Sequence, residues 1–241
     1  MNLSVKQKGF SLTEVLLAVG TLAIGMTFVS GTFLAGVYLS TVATERTIAA
    51  VVADEAFAKV ELYGLDPQST TLSTTEQVPF SLLNPIPLEE FAYPSTKSSA
   101  DKQYFWSAIC RPMYAGNTNR IVQVTVFISR KVGHGLFPGD SEIPVPVSVG
   151  VSSVTGVGNE NKLIIDNATN QQTFINAGAT VVANSTGRLY RVLERDASAQ
   201  NTILLDQPWQ EGTTGSVWVV PPPVGSDRYP CVAVYQKEIR F

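Results

Sequence analysis

One histidine, His134, and two cysteines, Cys110 and Cys231, are the whole supply of imidazole and thiol in 241 residues. So few, and so far apart, they form no recognisable metal-ligand cluster. Phosphate-binding loops, dinucleotide glycine fingerprints and Gly-x-Ser-x-Gly elbows are absent as well. Charge is scarce, at 15% of residues, and the formal total is −3. An acidic chain without a long basic run is not expected to bind nucleic acid generally, because that requires Lys and Arg against phosphate. Nothing is left to assign as a catalytic residue, metal site or cofactor, so a non-enzymatic role is expected. Proline is missing before position 67. The first quarter of the chain therefore carries no obligatory helix breaker.

That first quarter is organised around Gly9-Phe10-Ser11-Leu12-Thr13-Glu14-Val15. Lys6 and Lys8 precede it, with no acid among the first eight residues. From Val15 to Leu39 the sequence is apolar, relieved only by Ser, Thr, Gly and Tyr. About 20 such residues suffice for a helix to cross a bilayer. The lysines on its amino-terminal side place that end in the cytoplasm and the remainder outside. Glu14 is the anomaly. A carboxylate within the hydrocarbon costs about 2.5–3.5 kcal/mol on insertion scales, so it needs a partner. An ordinary secretory signal, cleaved near Val29-Ser30-Gly31, is the plainer alternative. It fits poorly, because the apolar run is too long and contains a charge.

This stretch resembles the amino-terminal motif of type IV pilins and type II secretion pseudopilins, most closely their minor subunits. The resemblance covers about 30 residues. It implies cleavage by a prepilin peptidase/methyltransferase between Gly9 and Phe10, with 1–9 as leader and Phe10 as the N-methylated first residue. It also implies that Glu14 pairs with the terminal amine of a neighbouring subunit during assembly. The electrostatics agree: cleavage creates a cation in the membrane, and Glu14 is an anion without a partner. Loss of Lys6 and Lys8 with the leader leaves a formal charge of −5. The implied partners are other pilin or pseudopilin subunits in a helical filament and an inner-membrane assembly platform. The protein would be a single-pass inner-membrane protein before it enters a periplasmic or extracellular filament. Some members of the family bind calcium, but Asp66, Asp140, Glu142, Asp166 and Asp206 are scattered over turns without an Asp-x-Asp-like spacing. The glycines at 20, 25, 31 and 36 allow close helix approach.

The helical pattern continues past the apolar run. Ile48, Val52, Ala56 and Val60 recur every fourth residue, with Val51, Ala53 and Phe57 widening the stripe. Glu55 and Lys59 stand at the favourable i,i+4 spacing. Gly64, Leu65 and Pro67 mark the end. The expected helix is 10–63, roughly 80 Å long, with its membrane part at about 15–39. A proline-rich connection over 64–102 should lie on a sheet, with a helical turn near Leu88–Phe91. Strands are expected at Tyr104–Cys110 and Arg120–Arg130, joined around Gly116-Asn117. In the second, Val122, Val124, Val126 and Ile128 alternate with more polar residues, which lays them on the helix.

The fold class expected is α+β: a long amino-terminal helix on an antiparallel sheet, pilin-like, with an added β-rich region. The sheet is assigned to 103–154. A β-rich insertion follows at 155–222, with short runs including Lys162–Asp166, Thr173–Asn176 and Arg188–Glu194. The last segment, 223–241, returns to the sheet as a final strand. Closely spaced strands of this kind point to a meander or small barrel. If the last strand returns, Cys110 and Cys231 are candidates for a disulfide outside the cytoplasm; two free thiols are the alternative. His134, between glycines, reads as a solvated loop residue. Arg188, Arg191 and Arg195 around Tyr190 read as a solvated strand edge. Trp106, Trp209 and Trp218 read first as core; of the three, Trp209, beside Pro208 in a turn, is the best candidate for an exposed contact. A membrane-anchored surface-binding module or adhesin is the alternative to a structural filament subunit.

Overall fold

The computed structural model describes residues 9, 11–66, 71–72, 75–95, 102–113, 121–132, 137–138, 141–154, 156, 158–166, 171–196, 201–224 and 229–241. Residues 1–8, Phe10, Pro67, the Gly116-Asn117 connection, His134 and Asp140 lie outside that set. The chain forms two units, 1–47 and 48–241. One helix, α1 (Leu12–Tyr63), contributes to both. It stops where Gly64 takes a left-handed φ of +73°, a conformation that glycine adopts without a Cβ penalty. The Gly64 N–H still donates to Val60 O at 3.0 Å, and Leu65 then turns back into the core.

In the second unit the sheet contains β1 (Val78–Pro79), β2 (Ala92–Tyr93), β3 (Tyr104–Pro112), β4 (Ile121–Arg130) and β11 (Cys231–Arg240). Its order is β1-β3-β4-β11, with β2 also on β3. A short helix α2 (Phe80–Leu83) and a 3₁₀ turn at Leu88–Phe91 precede β3. Alternation along β4 separates two faces. Val122, Val124, Val126 and Ile128 share a core with Ala49, Val52, Ala53, Ala56, Phe57 and Val60 of α1. The helix therefore lies on the aliphatic face. Val51, expected in that stripe, is instead 50% exposed. Trp106 is buried between Phe80 and Phe91, and its indole N–H donates to Glu90 O at 2.8 Å. Full burial of side chains of this size stabilises by about 1.5–3 kcal/mol each. Lys59 pins the 3₁₀ turn to the helix, bonding to Glu90 O at 2.8 Å and pairing with Glu55 at 3.1 Å and Glu90 at 3.0 Å.

Between β4 and β11 the chain builds a closed antiparallel barrel. Its strands are β5 (Val147–Ser153), β6 (Lys162–Ile165), β7 (Thr180–Ala183), β8 (Leu189–Arg195), β9 (Thr202–Leu205) and β10 (Thr214–Val219). They close in the order β10-β5-β6-β9-β8-β7. Inward residues fill the interior, among them Val149, Leu163, Ile165, Val181, Tyr190, Ile203 and Val217. A small barrel is filled by side chains in this way. Two expectations need correction. Val147–Ser153 is a barrel strand, so the sheet does not extend to 154. Its partner β10 lies some sixty residues away, out of reach of local pattern. The run expected as a strand at Thr173–Asn176 starts instead with a 3₁₀ turn at Gln171–Phe174, whose carbonyl at Phe174 is held by the Tyr229 hydroxyl at 2.8 Å. Trp209 is a core residue, as first read, and not the open contact that was its alternative: it is 9% exposed, its ring packs on Tyr190 at 5.2 Å and its N–H donates to Gly212 O.

The last strand does return to the sheet. β11 pairs with β4 from Cys231 opposite Ser129 to Arg240 opposite Ile121, with a bulge between Cys231 and Ala233. The barrel thus enters and leaves between neighbouring strands.

Candidate functional site

The first turn of α1 begins at Ser11. The Glu14 N–H donates to Ser11 Oγ at 3.2 Å, the Val15 N–H donates to Ser11 O at 3.2 Å, and the Ser11 and Thr13 hydroxyls lie 2.9 Å apart. This is an N-cap, and its sequence signal is Ser-x-x-Glu. It places Glu14 in the first turn, exposed. Among the described residues its carboxylate has no ion-pair partner. The positive end of the helix offsets only about 0.3–1 kcal/mol of such a charge, less than the cost of taking it into hydrocarbon. Gly9 is exposed, and its neighbour Phe10 lies outside the described residues.

From Leu12 to Thr41 every residue of α1 is exposed. Leu16, Leu22, Phe28, Val29, Phe33 and Leu39 are each about 60–70% exposed. An 18-residue window of the helix has a mean hydropathy of 1.9, and none of it is buried. In length and composition this is a candidate membrane anchor. The threonines suit the same solvent. Thr21, Thr27, Thr32, Thr41, Thr44 and Thr47 each donate to a carbonyl three or four residues back. Their hydroxyl protons are therefore satisfied without water, as an apolar medium demands. Open grooves on this helix pass over Gly25, Gly31 and Gly36, where no Cβ stands out.

The two cysteines do not meet. Cys110 stands opposite Val124 and Cys231 opposite Ser129, five positions apart on the intervening strand. That is about 17 Å along β4 before the strand spacing is added, far beyond disulfide reach. They also face opposite ways. Cys110 lies in the helix-side core, whereas Cys231 packs against the cluster under the barrel. The expected bridge is thus corrected to two free thiols. Burial pushes both thiols up, Cys231 to about 12, which keeps them protonated and slow to react.

No cation cluster forms from the carboxylates: among the described residues no group of three His, Cys, Asp or Glu is placed to hold a metal. Of the arginines around Tyr190, Arg188 bonds Gln210 and Arg195 bonds Asn176 at 3.0 Å through their guanidinium groups. At Arg191 it is the backbone N–H that donates to Asp206 Oδ1 at 2.9 Å, and Arg191 itself is exposed. The two features that remain are an exposed apolar helix with one carboxylate at its start, and a barrel seated on a sheet. Together they define a mixed α+β protein with a candidate membrane helix. Comparison with known proteins returned no matching family model, curated protein or solved structure.

Proposed function

We propose that the protein is a structural, minor subunit of a type IV pilus or type II secretion pseudopilus, assembled through α1. The observation that carries this reading is the exposed carboxylate of Glu14 in the first turn of a helix otherwise apolar for seven turns, directly after Gly9-Phe10. Prepilin peptidase/methyltransferase removes 1–9, and the new terminal amine at Phe10 becomes the cation that a neighbour's Glu14 accepts. The inner-membrane assembly platform then lifts subunits whose helices pack side by side, the glycine grooves permitting close approach. No step in this scheme requires catalysis or a cofactor from this chain.

Glu14→Val tests it. The variant should be processed and membrane-inserted like the parent yet be recovered in sheared filaments at a small fraction of the parent's amount. Glu14→Asp should fall between, because the charge is kept and the reach shortened. Equal incorporation of Glu14→Val and parent would sink the assembly role. A second reading, an anchored surface-binding module or adhesin, draws on the barrel, which has a core of its own that helix packing does not require. Such a protein would tolerate Glu14→Val without loss of surface display.

A further inference from the structure

The contact between barrel and sheet has an apolar base and a polar hub. The base is Ile109 and Phe127 from the sheet with Val182 and Val220 from the barrel side, all fully buried. The hub is the β7–β8 turn, Asn184-Ser185-Thr186-Gly187. Asn184 Oδ1 accepts the Gln77 backbone N–H at 2.9 Å and the Trp218 indole N–H at 2.8 Å. Thr186 O accepts from Arg111 at 2.9 Å, and Gly187 O accepts from the Gln236 amide. The hydroxyls of Ser185 and Thr186 donate to Glu211, which braces the turn from the barrel. Gln77 directly precedes β1, and Arg111, Gln123 and Gln236 lie on β3, β4 and β11. Residues of β3, β4 and β11, and the residue just before β1, thus converge on this one turn.

Gly187 is where the fit is tightest. Its φ is +75°, and a Cβ there would collide with Gln123 Oε1 and lie 2.8 Å from Gln77 Nε2. Gln77 is only 3% exposed, so its amide has little room to swing aside. Apolar contact is non-directional, whereas hydrogen bonds fix angle and register. We infer that the Asn184–Gly187 turn is the latch that sets the barrel's orientation on the sheet, with Gly187 its fitted position, and that a side chain at 187 releases the barrel without unfolding either part. This goes beyond the assembly reading and does not depend on it.

Hydrogen exchange on the full chain in detergent tests the latch. Three sets of amides report separately: Gln77 N–H on Asn184 at the joint, Val192 N–H on Ala179 O at 2.9 Å inside the barrel, and β4 within the sheet. Gly187→Ala should speed exchange at Gln77 about tenfold or more while Val192 and β4 keep their protection. Adding Gln123→Ala and Gln77→Ala together should restore most of the protection at the residue-77 N–H, because they remove the atoms that the new methyl strikes and leave that backbone donor in place. Three results would overturn the inference. Unchanged protection at Gln77 would mean that the turn does not hold the joint. Loss at Val192 in parallel would mean that Gly187 serves the hairpin itself. Failure of the paired Gln77→Ala and Gln123→Ala changes to rescue would leave the positive φ, not the docking contact, as the cause.

Discussion

Two residues of the same type can have unlike surroundings, as the cysteines show. Their pairing was plausible from sequence because both fall on strands of one sheet, but side chains alternate sides with a period of two, and register decides who meets whom. Sequence alone does not supply register across 120 intervening residues. With both thiols pushed up by burial, neither ionises near neutral pH, so native protein at pH 8 should take up alkylating reagent slowly. A thiol whose pKa is raised in the fold stays protonated through neutrality; its contribution to stability is intact below the ordinary thiol value and is lost as pH rises from there towards the folded value. After unfolding without reductant, both Cys110 and Cys231 should label completely, as peptide mapping would show. A fraction that labels only after reduction would contradict the register. Glu14 stands out in the sequence as a charge among apolar neighbours; the three-residue spacing from Ser11 to Glu14 is the local signal for the cap on the same turn.

At the level of elements, legibility tracked locality. α1 announced its course by a four-residue recurrence and its end by Gly64, and the 3₁₀ turn at Leu88–Phe91 was also legible. The two faces of β4 were written in alternation. Closely spaced strands pointed to a meander or small barrel; which of the two, and in what strand order, was not legible, because closure depends on pairings such as β10 with β5 and on a bulge between Val192 and Glu194, neither of which leaves a local signature. Ion pairs on α1 show how burial sets magnitude. Lys59 has a side chain 11% exposed with two carboxylates and a backbone carbonyl around it. Lys237 and Glu61 pair at 2.8 Å with side chains about half exposed. Lys59→Met should therefore destabilise the second unit by about 1–3 kcal/mol, the cost of leaving partly buried acceptors unpaired. Lys237→Met should stay within about 1 kcal/mol of the parent, as solvated pairs do. Urea unfolding followed by near-ultraviolet circular dichroism compares the two; equal effects would show that the Lys59 network adds nothing beyond a surface pair.

On the scale of the whole molecule, the second unit has three layers: the carboxy-terminal part of α1, the sheet, and the barrel on the opposite face. The barrel's insertion between β4 and β11 explains why the chain looked like a helix-and-sheet protein interrupted by an unrelated β-rich stretch. The sequence pattern located that interruption, but placed its start at 155 rather than at the β5 strand. Buried linkers tie it down: Ile143 joins the helix-side core on the way in, and the run Pro221-Pro222-Pro223 is buried on the way out. The account of function rests on the other unit, and on the proposal that 1–9 is removed to free an amine at Phe10 for a neighbour's Glu14. Intact-mass and amino-terminal analysis of the protein extracted from membranes tests that proposal most directly. The account predicts a chain that lacks Met1–Gly9, begins at Phe10 and carries one added methyl group on its terminal nitrogen. A mature chain that begins beyond Ser30 would contradict it, because the apolar helix would then be a discarded signal and Glu14 would never reach a filament.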